Sequence, residues 1–175
     1  MDDRAVVAAQ LQRPLRSSVE VAARCPLGLP VVAVVPPVLD DGTPFPTRYW
    51  LSCPLASRRV ARLESAGGVG RLQRHADGTP AFADRLAAAH LRYAAERDAA
   101  VPPGAGLRPT GGVAGSEVGA GIKCLHAHYA DAAAGNDNPV GEVVAPFVEP
   151  LDCTVPCVVE REGSAVRNQE WWEPR

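Results

Sequence analysis

The sequence is poor in most features that announce a function at sight. It has no surplus of charge: 18 basic residues stand against 20 acidic ones, a formal net charge of -2. A general nucleic-acid binder neutralises phosphates with a basic excess, so the balance argues against that class while leaving room for a local basic patch. No apolar run approaches the roughly eighteen residues needed to span a bilayer, so no membrane span is expected. The N-terminus, Met1-Asp2-Asp3-Arg4, is acidic, and the apolar stretch after it is broken by Gln10, Gln12 and Arg13. A secretory signal needs a basic start and an unbroken apolar core, so the expected compartment is the cytoplasm. There is no CxxC pair either, since Cys153 and Cys157 are one residue too far apart. The glycine spacings fit neither a P-loop nor a dinucleotide fingerprint. Around Cys124, the phosphate-cradling loop that places a cysteine five residues before an arginine is missing.

What is present reads as an ordinary globular chain. Of 175 residues, 46% are hydrophobic and 22% charged, enough to bury a core. The count of 17 prolines and 16 glycines predicts ordered loops between short elements. Asp2 or Asp3 caps a helix reaching about Arg13, which Pro14 ends. Alternation over 18–23 and a β-branched run over 30–35 predict two strands joined by the turn Cys25-Pro26-Leu27-Gly28-Leu29-Pro30. The turn Asp40-Asp41-Gly42-Thr43-Pro44 leads to a third strand over 48–52, completing an antiparallel meander. Pro54 opens a helix with Ala56, Val60 and Leu63 at core spacing, closed by Gly67-Gly68. The longest helix is expected over 80–99, a loop over 101–121, and a helix over 122–134. Asn138-Pro139-Val140-Gly141 reads as a tight turn, and 154–160 as a last strand at the sheet edge. The fold class is therefore α+β: a small antiparallel sheet of three to four strands packed against about four helices. Residues 1–150 are expected to form one domain, with 151–175 a C-terminal strand and a tail in which Trp171-Trp172 docks.

Chemistry concentrates in the cysteines and histidines. Five cysteines (Cys25, Cys53, Cys124, Cys153, Cys157) in a reducing compartment are free, metal-bound or reactive rather than paired. In Lys123-Cys124-Leu125-His126-Ala127-His128, a helix would put Cys124 and His128 on one face and His126 elsewhere. Cys25 and Cys53 each precede a proline at a strand-to-loop junction. Cys25, Cys53, Cys124 and His128 would thus supply a closed Cys₃His zinc site, with His126 and Cys157 as substitutes. An iron–sulfur cluster, which favours cysteine alone, is the lesser candidate. The competing readings are buried cysteines acting as small hydrophobes, and a reactive Cys124 thiol with His126 or His128 as its base. The glycine-rich approach to the helix offers a further anion-binding reading through Gly121 and Lys123.

Three segments carry a resemblance: Arg24-Cys25-Pro26 with Gly28-Leu29-Pro30; Asp41-Gly42-Thr43-Pro44-Phe45-Pro46-Thr47 leading through Tyr49 to Leu51-Ser52-Cys53-Pro54; and Lys123 to His128 with Asn138-Pro139-Val140-Gly141. Over roughly residues 15–142 the chain resembles the bacterial family designated domain of unknown function 501. The resemblance implies that Cys53, Cys124 and His126 belong to the family pattern, joined by Cys25 and His128. It implies no reaction. Genes of the family tend to lie beside those for a septum-formation initiator and an exopolyphosphatase, which points to cell division and a septum-formation or other protein partner. The expected function is therefore a small cytoplasmic protein with a Cys/His zinc site that acts through a partner. The alternative is an enzyme of phosphate or thiol chemistry using Cys124 with His126 or His128.

Overall fold

The computed structural model describes residues 1–117 and 121–174. Gly119 and Ala120, part of the expected anion-binding approach, lie outside the described residues. The chain is α+β, with helices α1 (Asp3–Leu11), α2 (Pro54–Ser65), α3 (Gly68–Gly78), α4 (Pro80–Ala99), α5 (Leu125–Ala133) and α6 (Pro139–Val148). The strands are β1 (Glu20–Arg24), β2 (Pro30–Val34), β3 (Tyr49–Leu51), β4 (Val158–Arg161) and β5 (Ser164–Arg167). Among the described residues no helix is long and apolar enough to cross a membrane.

The expected meander is present as an antiparallel sheet in the order β1-β2-β3. Its central strand is apolar throughout and buried at Pro30, Val31, Val32 and Ala33, because neighbours cover both faces. β3 pairs with it through Val32–Leu51, Ala33–Trp50 and Val34–Tyr49. β1 forms the edge and alternates exposed with half-buried residues. Helix α5 packs on β3 and α6 packs on α5, while α3 packs on α4. Tyr93, Tyr129, Leu55, Leu125 and Val140 fill the space between, all at most 1% exposed.

Three local expectations differ from the structure, and the described residues form six α-helices where about four were expected. Gly67 closes α2 as expected, but its left-handed φ of 81° turns the chain directly into a further helix, α3, which starts at Gly68. Asn138-Pro139-Val140-Gly141 is not a free turn but the start of α6. The Asn138 side chain accepts from the Gly141 N–H, and Pro139 occupies the first helical position, where its missing N–H costs nothing. The last strand does not join the sheet edge. It pairs with β5 in a separate antiparallel hairpin, Val158 opposite Arg167. Leu151, Cys157, Val158 and Trp171 from this C-terminal segment nevertheless belong to the same buried cluster as Leu55 and Val32.

Candidate metal centre

Cys124 lies just outside α5, as its N-cap in extended geometry, and its side chain makes no capping hydrogen bond. The four leading N–H groups of a helix need partners from elsewhere. That of Leu125 finds one in α2, donating to Glu64 Oε1 at 2.6 Å. The contact draws the last turn of α2 against the first turn of α5. It brings Glu64 Oε2 to 3.2 Å from His126 Nδ1. On the other side of the ring, His126 Nε2 lies 3.1 Å from the Ser57 carbonyl oxygen. Ser57 and Glu64 are seven apart, two turns along one face of α2, which is why a single imidazole can reach both.

Glu64, Cys124 and His126 each offer one ligand atom, and these atoms all lie within 4.8 Å of one another. All three residues are half-buried. Both ring nitrogens of His126 face acceptors, so a neutral imidazole satisfies only one of them and the other position calls for a cation. The proton alone is held tightly there. Cys124 first, then the Glu64 charge, push the His126 pKa up to about 9 against the opposing effect of burial. A divalent ion at Nδ1 would meet the same demand, with Nε2–H donating to the Ser57 carbonyl in the arrangement common to metal-bound histidines. Thiolate, imidazole and carboxylate are all zinc ligands, and three protein ligands leave a fourth position open.

Cys124 and His126 line a cleft of about 370 Å³, together with Tyr49, Trp50, Leu51, Ala114 and Ala127. Leu11, Phe45 and Trp50 also line a neighbouring apolar hollow of about 300 Å³. Phe45 and Trp50 stack at 5.2 Å between centroids, and Arg13 caps the Trp50 face at 4.3 Å.

The structure does not gather Cys25, Cys53, Cys124 and His128 into one group. Because α5 begins at Leu125, Cys124 is not on the helix face shared with His128, and its partner is His126. His128 points into the core, with Nδ1 3.1 Å from Asn138 Oδ1, and burial pushes its pKa down to about 4. Cys25, Cys53 and Cys157 line a different small cavity together with Cys153. At the glycine-rich approach, the Ile122 N–H is taken by Gln73 Oε1 at 2.9 Å, and Lys123 Nζ donates to the Gly115 carbonyl at 2.9 Å. The Ile122 amide and the Lys123 ammonium, two donors an anion would use, are therefore occupied, and Glu64 brings negative charge to the same helix start. Sequence reasoning missed Glu64. The available signal was an acidic residue in the last turn of a helix, where the macrodipole disfavours it and where a local rule is broken for a reason.

Compared with known proteins, the chain matches the family described as Protein of unknown function (DUF501) over residues 21–146. No curated protein matches it, and no solved structure does.

Proposed function

The chain belongs to the DUF501 family of proteins of unknown function, and on that premise we propose that it is a metalloprotein holding one zinc-class divalent ion between Glu64, Cys124 and His126. The observation that carries the reading is the convergence of three different ligand types within 4.8 Å. The Ser57 carbonyl is placed to receive the second imidazole N–H. Two anionic ligands and one neutral imidazole neutralise a divalent charge. Three ligands rather than four favour an open, ligand-accepting site over a closed structural one. When bound, such an ion polarises a carbonyl or phosphoryl oxygen presented to it. The chain's own contribution is to fix His126 through Glu64 and Ser57, and to offer an apolar cleft beside the open position. A small molecule or peptide carrying one oxygen donor and an apolar body fits that cleft. Cytoplasmic residence and a septal partner stay with this reading as proposals resting on the family resemblance.

The second reading is a thiol nucleophile, Cys124, paired with His126. It is supported by the His126 pKa near 9, to which Cys124 contributes most. Elemental analysis of protein purified without chelator, alongside Cys124→Ser and His126→Ala, separates the two. Metal lost in both variants supports the first. Wild type that carries no ion at this site, and whose Cys124 is alkylated rapidly at neutral pH with or without chelator, refutes it in favour of the second.

A further inference from the structure

We propose a second metal site, sharing no residue with the first: Cys25, Cys53, Cys153 and Cys157 close as a tetrathiolate on one zinc-class ion. That ion pins the C-terminal hairpin to the sheet and to α2. Four of the five cysteines line a single apolar cavity of about 10 Å³, the room of about one water-sized sphere. They arrive from separate parts of the chain. Cys25 follows β1, Cys53 is the N-cap of α2, and Cys153 and Cys157 lie between α6 and β4. Hydrophobic packing alone has no reason to select cysteine at four independent positions around one void.

N–H donors face the sulfurs, although burial outweighs them and keeps Cys53 and Cys157 as neutral thiols until a metal replaces their protons. Trp171 Nε1 donates to Cys153 Sγ at 3.4 Å, and Gln10 Nε2 to Cys157 Sγ at 3.6 Å. The backbone N–H groups of Leu55 and Ala56 address Cys53. A thiol sulfur is a weak acceptor, whereas N–H donors around sulfur are the usual outer shell of metal thiolates. Gln10 is 5% exposed and turns its amide into this cavity, yet its Oε1 has no partner. Two cations stand close by: Arg58 and Arg167 cover the Trp171 ring at 4.9 and 4.5 Å. They offset the net double negative charge of four thiolates on a divalent ion.

Among the described residues, only Glu64, Cys124 and His126 have ligand atoms that all fall within 4.8 Å, so the four sulfurs must draw in to bind. Zinc–sulfur bonds of about 2.3 Å set tetrahedral sulfurs roughly 3.8 Å apart. On binding, four S–H bonds lose their protons to solvent and four sulfur–metal bonds form, with no change of oxidation state.

The test is metal content and thiol accessibility of the full chain, purified without chelator, in wild type, Cys124→Ser, Cys153→Ser and Trp171→Phe. Cys124→Ser is expected to retain one equivalent of zinc, and its cobalt-substituted form to show the intense absorption of a tetrathiolate. Cys153→Ser loses that equivalent. Trp171→Phe keeps the bulk but removes the N–H, and its ion is expected to bind about tenfold more weakly. Should Cys153→Ser fail to fold, wild type still decides: chelation should make Cys25, Cys53, Cys153 and Cys157 newly reactive to an alkylating agent. A Cys124→Ser protein with no metal overturns the proposal. So does an intact mass showing loss of paired hydrogens, which would mean disulfides. Wild type with one ion that Cys124→Ser retains would refute the Glu64–Cys124–His126 site and leave this one standing.

Discussion

His90 and His128 meet edge to face in the core, ring centroids 5.6 Å apart, in opposite tautomers. His90 Nδ1 accepts from the Val113 N–H at 3.0 Å, so its proton sits on Nε2. His128 Nδ1 faces Asn138 Oδ1 at 3.1 Å. The orientation of that amide is fixed, since Asn138 Nδ2 donates to Asp131 Oδ2 at 2.8 Å and Gly141 N–H donates to its oxygen at 3.1 Å. His128 therefore carries its proton on Nδ1. Both Nε2 atoms are buried without a partner, one a donor and the other an acceptor. A charge on either ring would be buried beside the other imidazole, and a proton on His90 Nδ1 would displace the bond from the Val113 N–H.

Acid should therefore loosen this core. Burial pushes the His90 pKa below 6.5, so the unfolded chain takes up the proton first as pH falls. The stabilisation is full above about pH 6.5 and is lost below it, at up to about 1.4 kcal/mol per pH unit for each imidazole that must stay neutral. Melting curves between pH 7.5 and 5 should show a falling midpoint. His90→Asn keeps an acceptor for Val113 but does not titrate, and should flatten that slope even though the smaller side chain lowers stability overall. An equal slope in the variant would show that the acid sensitivity lies elsewhere.

Gly141 marks where α6 is held against α5. A Cβ built there would stand 2.4 Å from the Ala132 Cβ and 2.5 Å from the His128 carbonyl oxygen. Both are parts of a packed helix with nowhere to go. Gly141→Ala is expected to cost about 1–3 kcal/mol through overpacking, although alanine is the better helix former. Chemical denaturation checks this, and a neutral or stabilising result would mean that the two helices can separate.

The sheet and the long helix were legible because their signals are local: β-branched runs between turns, and apolar residues at helical spacing. Helices α3 and α6 were not, for instructive reasons. Gly67 can stop one helix and start another with the same left-handed φ, so two glycines alone do not say which follows. Asn138-Pro139 is a turn signature and a helix-start signature at once, and only the packing of Val140 and Val144 decides. At the site, Cys124 and His126 were recognised as chemistry-bearing, but a helix start misjudged by a few residues exchanged His126 for His128 as the partner. Glu64 comes from an element 60 residues earlier, and no spacing rule connects it to them. Cys25 and Cys53 were grouped with Cys124 and His128, and Cys157 only as a substitute; the meeting of Cys25, Cys53 and Cys157 with Cys153 depends on the C-terminal hairpin folding back, a long-range event.

That folding back gives a stability prediction. Trp171 is 8% exposed, while its neighbour Trp172 is 61% exposed. Arg62 pairs with Glu173 beyond them. Trp171→Ala should cost about 3–5 kcal/mol, as large aromatic truncations in cores do, whereas Trp172→Ala should stay within about 0.5 kcal/mol. Comparable effects of the two substitutions would mean that the tail is not anchored through Trp171.

Glu64 serves two ends, and a single substitution separates them. Its Oε1 accepts from the Leu125 N–H and its Oε2 faces His126. Glu64→Gln keeps an oxygen for the helix start and nearly the same volume, so the fold should persist with a loss of about 1 kcal/mol. It removes one of the two negative ligands. Loss of outer-shell partners already weakens metal sites by about 10–100-fold, so losing a direct ligand should weaken zinc binding by at least about 10-fold. Competition against a chromophoric chelator measures this, with circular dichroism confirming the fold. If the variant holds zinc as tightly as wild type while Cys124→Ser does not, Glu64 orients His126 without touching the ion. Another group, reached from the cleft, then completes the coordination.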